Sequence, residues 1–495
     1  MGDDSQPPEQ LRDAAAHGIR WSAIARPTIE IVQLASIVVL ARLIAPAEFG
    51  RYAIALIAQE VTYVIGGAGL SDGLIQRKQL DREHLQAGMA IALLTGIGLT
   101  AVTFVAANLV VSPVFGHKTA VFVRMMSPLG LLAALNAVPI SILARRMDFR
   151  RLSEVEVCTT VLRVAASVAL AIVGLGGEAL VLGIVIGSLL GMMFAWVSAP
   201  PPLPRLRRQP ARELLSYAAP VSLASISWVG FGNVAFAIVG ARLGPLQNGY
   251  YFRAYTLAVE YQRKLAIVMD KVGLPVLARS RNTTEVARLY RQMARMLTII
   301  IFPLLVVLAI TAPVLVPFAF GSRWDAAVAP TQILALGGAA AVLFNAVATV
   351  FKATARTGAL MGFGWIQFVV YGVTVYLTAP LGLTAIAIGA AIVHTLFAVI
   401  AYVMMFQGTE ESPLAQLWSD VAPAMISCLG LTAVVLPASI VLTAAHTPAA
   451  LWLLALGLLA APPYLLTLRV CFPAAWRSQC AALERILPGH RRLNG

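Results

Sequence analysis

Nine basic residues of this chain lie inside long apolar runs: Arg26, Arg42, Arg124, Arg163, Arg242, Arg253, Arg263, Lys264 and Arg469. The carboxylates placed the same way are Glu30, Glu60, Glu260 and, at the edge of a run, Asp270. A charge near the centre of a bilayer costs at least about 2.5 kcal/mol unless it faces a wet cavity or a partner. A guanidinium also binds phosphate oxygens bidentately and keeps its charge, so arginines in such places suit the capture of a diphosphate. The competing reading is snorkelling, in which the aliphatic stem stays buried and the head reaches the interface. Arg42, Arg124, Arg242 and Arg469 sit near the ends of their runs and favour snorkelling. Arg26, Arg163, Arg253 and Arg263 sit deeper and are read as cavity cations.

The carboxylates admit two roles. Arg26 and Glu30 are four residues apart and share a helical face, so they either neutralise each other or serve proton- or cation-linked transport. Glu60 and Glu260 fall near mid-depth of their runs and are candidates for coupling. His394 reads as a hydrogen-bonded bundle histidine. Cys158, Cys428, Cys471 and Cys480 show no paired spacing, so neither a metal site nor a cofactor is expected.

Composition explains where these charges are. Of 495 residues, 59% are hydrophobic and 12% charged, with a mean hydropathy of +0.81. Soluble domains carry about 25% charged residues. The net charge of +14 would suit nucleic acid only if the basic residues covered a soluble face. They fill short gaps between apolar runs instead, which excludes that partner. The first twenty residues are polar, and the run after them lacks a small-residue cleavage site, so the first span is expected to direct its own insertion.

Reading for stretches of about 20 apolar residues gives fourteen spans, near 21–44, 52–70, 86–111, 120–144, 157–174, 179–199, 214–243, 250–270, 296–318, 328–351, 361–380, 384–406, 418–443 and 449–472. With the N-terminus inside, the cytoplasmic gaps hold 25 Lys and Arg and the outer gaps only Arg51, Lys118 and Arg323. Cytoplasmic loops carry such an excess, so both termini are placed in the cytoplasm. Trp21, Trp228, Trp365 and Trp418 read as interfacial anchors, and Pro27, Pro220, Pro303, Pro313 and Pro423 as helix kinks or interfacial starts.

The chain also repeats itself. "ARLIAPAEFGRYAIA" joins the first two spans and "ARLGPLQNGYYFRAY" joins the seventh and eighth. Ala41-Arg42-Leu43 matches Ala241-Arg242-Leu243, Pro46 approximates Pro245, and Gly50 corresponds to Gly249. Glu60 and Glu260 then occupy nearly equivalent places, one residue out of register. Six spans separate the copies, so both enter the membrane in the same sense, as in a parallel repeat with substrate held between halves.

On "LARLIAPAEFGRYAIA" at 40–55, "LARRMDFRRLSEVE" at 143–156, "LSYAAPVSLASISW" at 215–228, "ARLGPLQNGYYFRAY" at 241–255 and "LPVLAR" at 274–279, the chain resembles the polysaccharide-transporter (Wzx-type) flippases. These belong to the multidrug/oligosaccharidyl-lipid/polysaccharide exporter superfamily. The resemblance covers roughly the first 400 residues. It implies an all-α polytopic membrane protein with two six-helix bundles around a central cavity, working by alternating access on a polyprenyl-diphosphate-linked glycan. Related lipid-precursor flippases use arginines on their first, second and eighth spans, and Arg26, Arg51 and Arg253 occupy similar places here. The expected organisation is a cytoplasmic segment 1–20, a bundle 21–199, a Pro/Arg linker 200–213, a bundle 214–406, two further helices in 407–472 and a cytoplasmic tail 473–495. The expected location is the bacterial inner membrane, among membrane lipids and beside a glycan polymerase and glycosyltransferases.

Three functions compete on these residues. A flippase fits the repeat and the cationic interior. A drug or cation antiporter of the same superfamily should concentrate carboxylates in its cavity, and the nine-to-four excess of basic residues in the spans disfavours it. A polymerase or ligase should carry a sizeable outer loop with catalytic groups, whereas no outer gap here exceeds about a dozen residues, so catalysis is not expected.

Overall fold

The computed structural model describes residues 8–77, 79–260, 283–353, 357–406, 412–477 and 479. Among these residues every regular element is a helix. The chain divides into two compact units, residues 1–249 and 250–495.

The first unit holds α1 (Pro8–Leu43), α2 (Pro46–Tyr63), α3 (Gly69–Gln76), α4 (Arg82–Ala106), α5 (Ser112–Phe115), α6 (His117–Met126), α7 (Leu129–Arg145), α8 (Phe149–Ile172), α9 (Glu178–Ser198) and most of α10 (Arg208–Tyr255). The second holds the end of α10, then α11 (Thr283–Phe320), α12 (Val328–Ala353), α13 (Thr357–Thr378), α14 (Leu383–Met405), α15 (Pro413–Ala444) and α16 (Ala449–Cys471). Eleven stretches of the described residues are long and apolar enough to cross a membrane. The expected first and tenth runs lie within the continuous helices α1 and α12.

The surface of these helices suits lipid. Val102, Leu109, Val173, Val197, Leu429 and Ile440 are exposed, a distribution that a soluble monomer avoids over large patches. With lipid outside, apolar burial gives little drive for helices to associate, and close packing of small residues takes its place. On α9 the stripe Gly183, Gly187 and Gly191 faces Ser167, Arg163 and Thr159 of α8, and a Cβ on Gly187 would stand 2.8 Å from the Arg163 Cα. Pro27, Pro303, Pro313 and Pro423 all lie inside helices and end none of them. π-helical turns interrupt the regular ladder at Val64–Ala68 and Thr256–Glu260.

α10 breaks at Gly244, whose φ of 82° suits a residue without a Cβ. The break places Pro245 and Gly249 of the second copy against Pro46 and Gly50 of the first, inside the first unit. A Cβ on Gly50 would collide with the Pro245 carbonyl oxygen, and a Cβ on Gly249 with the Pro46 carbonyl oxygen. The paired positions of the repeat therefore contact one another reciprocally. Asn248, fully buried, closes the crossing by donating to the Gly50 carbonyl at 2.9 Å.

Candidate functional site

In the first unit, α1 and α8 bring Arg26 to Glu156, with Nη1 3.2 Å from Oε1 and both side chains about half exposed. One turn or more away on the same pair of helices, the Arg150 guanidinium lies 5.1 Å from the Trp21 ring centroid. Glu30 is half-buried one turn further along α1. On α2, Glu60 is exposed and accepts from the Asn233 side-chain amide of α10 at 2.7 Å. Asn233 is itself buried and also donates to the Val229 carbonyl at 2.9 Å. That arrangement points one Glu60 oxygen at a fixed donor.

Arg51 lies at the start of α2 and donates to Glu48 at 2.7 Å, and Lys118 reaches the same oxygen at 2.8 Å. The three charges form one cluster at the end of the unit that holds the α5–α6 corner. Arg163 is half-buried, its backbone pressed against Gly187. At the other end, Glu213 accepts from Arg77, from Gln209 at 3.2 Å, and faces His84 Nε2 at 3.3 Å. The Arg77 hydrogen bond, with His84 and Gln209, holds the Glu213 carboxyl below its ordinary range.

In the second unit, Arg253 is only 2% exposed. Its guanidinium carbon lies 5.0 Å from the Phe320 ring and 5.2 Å from the Trp324 ring, a cation–π clamp at the far end of α11. The Tyr251 and Tyr371 hydroxyls of the same unit meet at 3.0 Å. Glu260 is half-buried at the last position of the π turn. Arg263, Lys264 and Asp270 lie outside the described residues.

Asp420 is a further carboxylate inside a helix, absent from the set read from the sequence. It is fully buried on α15. Arg291 Nε of α11 reaches its two oxygens at 3.2 and 3.1 Å, Arg295 Nη2 reaches Oδ1 at 3.0 Å, and the Tyr402 hydroxyl of α14 donates to Oδ2 at 2.8 Å. The Tyr464 hydroxyl of α16 donates to the Ile299 carbonyl at 2.7 Å and adds the last helix to the group. The helices of 407–472 are thereby tied to α11 and α14 by charge as well as by packing. The signal in the sequence is a lone Asp in the run 418–443 and a pair of Arg just ahead of the run 296–318.

Arg26 and Arg51 of the first unit pair with carboxylates, Arg253 of the second lies against two aromatic rings, and Glu60 and Asp420 accept from fixed donors. The model of a family described as "Polysaccharide biosynthesis protein" matches residues 39–329, more than half of the chain. The lipopolysaccharide biosynthesis protein WzxC of Escherichia coli (strain K12) is 22% identical over 413 residues, 82% of this chain and 84% of that protein. The succinoglycan biosynthesis transport protein ExoT of Rhizobium meliloti (strain 1021) is 28% identical over 340 residues, 64% of this chain and 65% of that protein. Among solved structures, the lipid II flippase MurJ in an inward closed conformation shares the fold, with a TM-score of 0.74 at 14% identity over 92% of this chain and 99% of that one. The chain is a multi-pass membrane protein of the polysaccharide biosynthesis protein family.

Proposed function

We propose that this protein is a flippase that carries a lipid-diphosphate-linked oligosaccharide across the bacterial cytoplasmic membrane by alternating access. The observation that carries the reading is the family match across residues 39–329, with named relatives in lipopolysaccharide biosynthesis and succinoglycan transport. The excess of arginine over carboxylate in the spans supports an anionic substrate and disfavours a cation antiporter. Reconstituted in vesicles, the chain should move a fluorescent polyprenyl-diphosphate glycan between leaflets. Movement of an organic cation against a proton gradient, with no glycan flipping, would reverse the assignment.

In this reading Arg26, Arg51, Arg163, Arg253 and Arg263 supply the cations for the diphosphate, in different steps. Arg26 is the most open of those described, and its pair with Glu156 is easily exchanged for phosphate because exposed pairs are worth about 0–1 kcal/mol. Arg253 engages only when its aromatic clamp opens. Replacing Arg26 with Ala should cut flipping about tenfold while the protein still inserts, and Lys should restore only part if bidentate geometry matters. Unchanged flipping in Arg26→Ala would remove that residue from the site.

The coupling candidates are Glu30, Glu60 and Glu260. Glu60 is the most defined, because the Asn233 amide donates to one of its oxygens and fixes it in place. The protein is no enzyme in this reading, and its surroundings are membrane lipid, a glycan polymerase and glycosyltransferases. It has fourteen spans, with bundles 21–199 and 214–406, two further helices in 407–472, and both termini in the cytoplasm. Reporter fusions after residues 150 and 208 should therefore read cytoplasmic, and those near 116 and 323 periplasmic. The opposite reading at both outer positions would discard this topology.

A further inference from the structure

α11 carries Arg288, Arg291 and Arg295 at spacings of three and four, so the three share one face. Asp420 is fully buried and satisfied by Arg291, Arg295 and Tyr402. It neutralises one charge and fixes the Arg295 guanidinium by a single nitrogen, leaving 35% of that side chain exposed. Arg288 is exposed, nearer the start of the helix. A surplus of positive charge within the first turns of a span calls for an anion at the same depth.

The same helices also frame an apolar cavity of about 1430 Å³, wholly within the second unit. Phe302, Leu417, Trp418 and Val421 line its near end. Phe302 follows Arg295 by seven residues, two turns and about 10 Å along the same face. Leu417, Trp418 and Val421 flank Asp420 on α15. The arginines around Asp420 therefore stand next to residues that line the near end of an oily cleft, at the start of a membrane-length helix.

We propose that Arg288 and Arg295 hold the phosphate of an anionic glycerophospholipid, with one of its acyl chains along the near end of this cavity. Asp420 acts as the positioning group: it keeps Arg295 from swinging into water and holds its planar fork toward the phosphate. The charge surplus selects an anionic over a zwitterionic headgroup. The continuous apolar wall selects a lipid over a free phosphate ion. The site is independent of the flippase reading, since its residues lie outside the set assigned to the transported glycan.

The test uses the full chain, purified and stripped of lipid, with native mass spectrometry during titration of phosphatidylglycerol, phosphatidylcholine or inorganic phosphate. One phosphatidylglycerol should be retained at least tenfold more tightly than phosphatidylcholine, because hydrogen bonds to charged groups are the strong class. Combining Arg288→Gln with Arg295→Gln should bring the two lipids to equal affinity. Val421→Phe should weaken phosphatidylglycerol by filling the cleft. Equal retention of both lipids by the native chain would overturn the proposal. So would undiminished phosphatidylglycerol binding in the double variant, or displacement of that lipid by equimolar inorganic phosphate. Should the double variant fail to fold, Arg288→Gln alone decides, since that side chain is exposed.

Discussion

A valine at Gly50 or at Gly249 should destabilise the protein by about 1–3 kcal/mol, the usual cost of forcing extra atoms into a packed contact. The cost is hard to relieve because the obstructing atoms are backbone. A Cβ at Gly50 meets the Pro245 carbonyl and comes within 2.8 Å of the Gly249 nitrogen, and a Cβ at Gly249 meets the Pro46 carbonyl. Neither can rotate away as a side chain would. Separating the two segments also pulls the Gly50 carbonyl from Asn248, which leaves a fully buried amide without that acceptor. The two substitutions should not add. Once the first has pushed the segments apart, the second fills space already opened, so the double variant should cost clearly less than the sum. Thermal melting of the purified single and double variants measures this. Additive losses, or single variants as stable as the parent, would mean that the reciprocal crossing does not hold the segments together.

That crossing marks both the reach and the limit of the sequence. The pairs Pro46/Pro245 and Gly50/Gly249 are legible as a repeat, because self-similarity survives in residue types. That the paired residues touch is not legible, since similarity carries no distance. The apolar runs are readable for a different reason. A bilayer demands about 20 apolar residues per crossing, so hydropathy reports span existence directly. The π turns at Val64–Ala68 and Thr256–Glu260 leave no such mark. The Gly183, Gly187 and Gly191 stripe does, at a spacing of four, though only the packing against Arg163 shows what it meets.

Charges are legible by presence and not by partner. Spacing along one helix suggests Arg26 with Glu30, whereas the geometry also brings Arg26 to Glu156, 130 residues away in sequence. The i, i+4 rule describes one helix and is blind to its neighbours. Arg253 reads as a cavity cation from its depth, yet two aromatic rings from beyond α11's midpoint enclose it. Asp420 is hidden for a related reason. Its arginines lie more than 120 residues earlier, in a stretch that reads as a basic loop. Only the packing of α11, α14 and α15 turns loop cations into the partners of a buried acid.

Replacing Asp420 with alanine should therefore cost about 3–5 kcal/mol, because it leaves Arg291 and Arg295 facing each other without their shared carboxylate. The protein should become scarce in the membrane, and what remains should melt well below the parent. An asparagine at this position would still accept from Tyr402 but could not neutralise either cation, so Asp420→Asn should lie between the parent and Asp420→Ala. The decisive variant removes all three charges together: Asp420→Leu with Arg291→Met and Arg295→Met. Buried ion groups replaced as a set by apolar side chains of similar volume are often tolerated, so the triple variant should regain much of the stability that Asp420→Ala loses. Abundance and melting temperature, measured across the three variants, separate a charge-balance role from simple packing. If the triple variant is no more stable than Asp420→Ala, the cluster is held by shape and by the Tyr402 bond, not by the pairing of its charges. If Asp420→Ala is itself as abundant and stable as the parent, Asp420 does not tie α15 to α11.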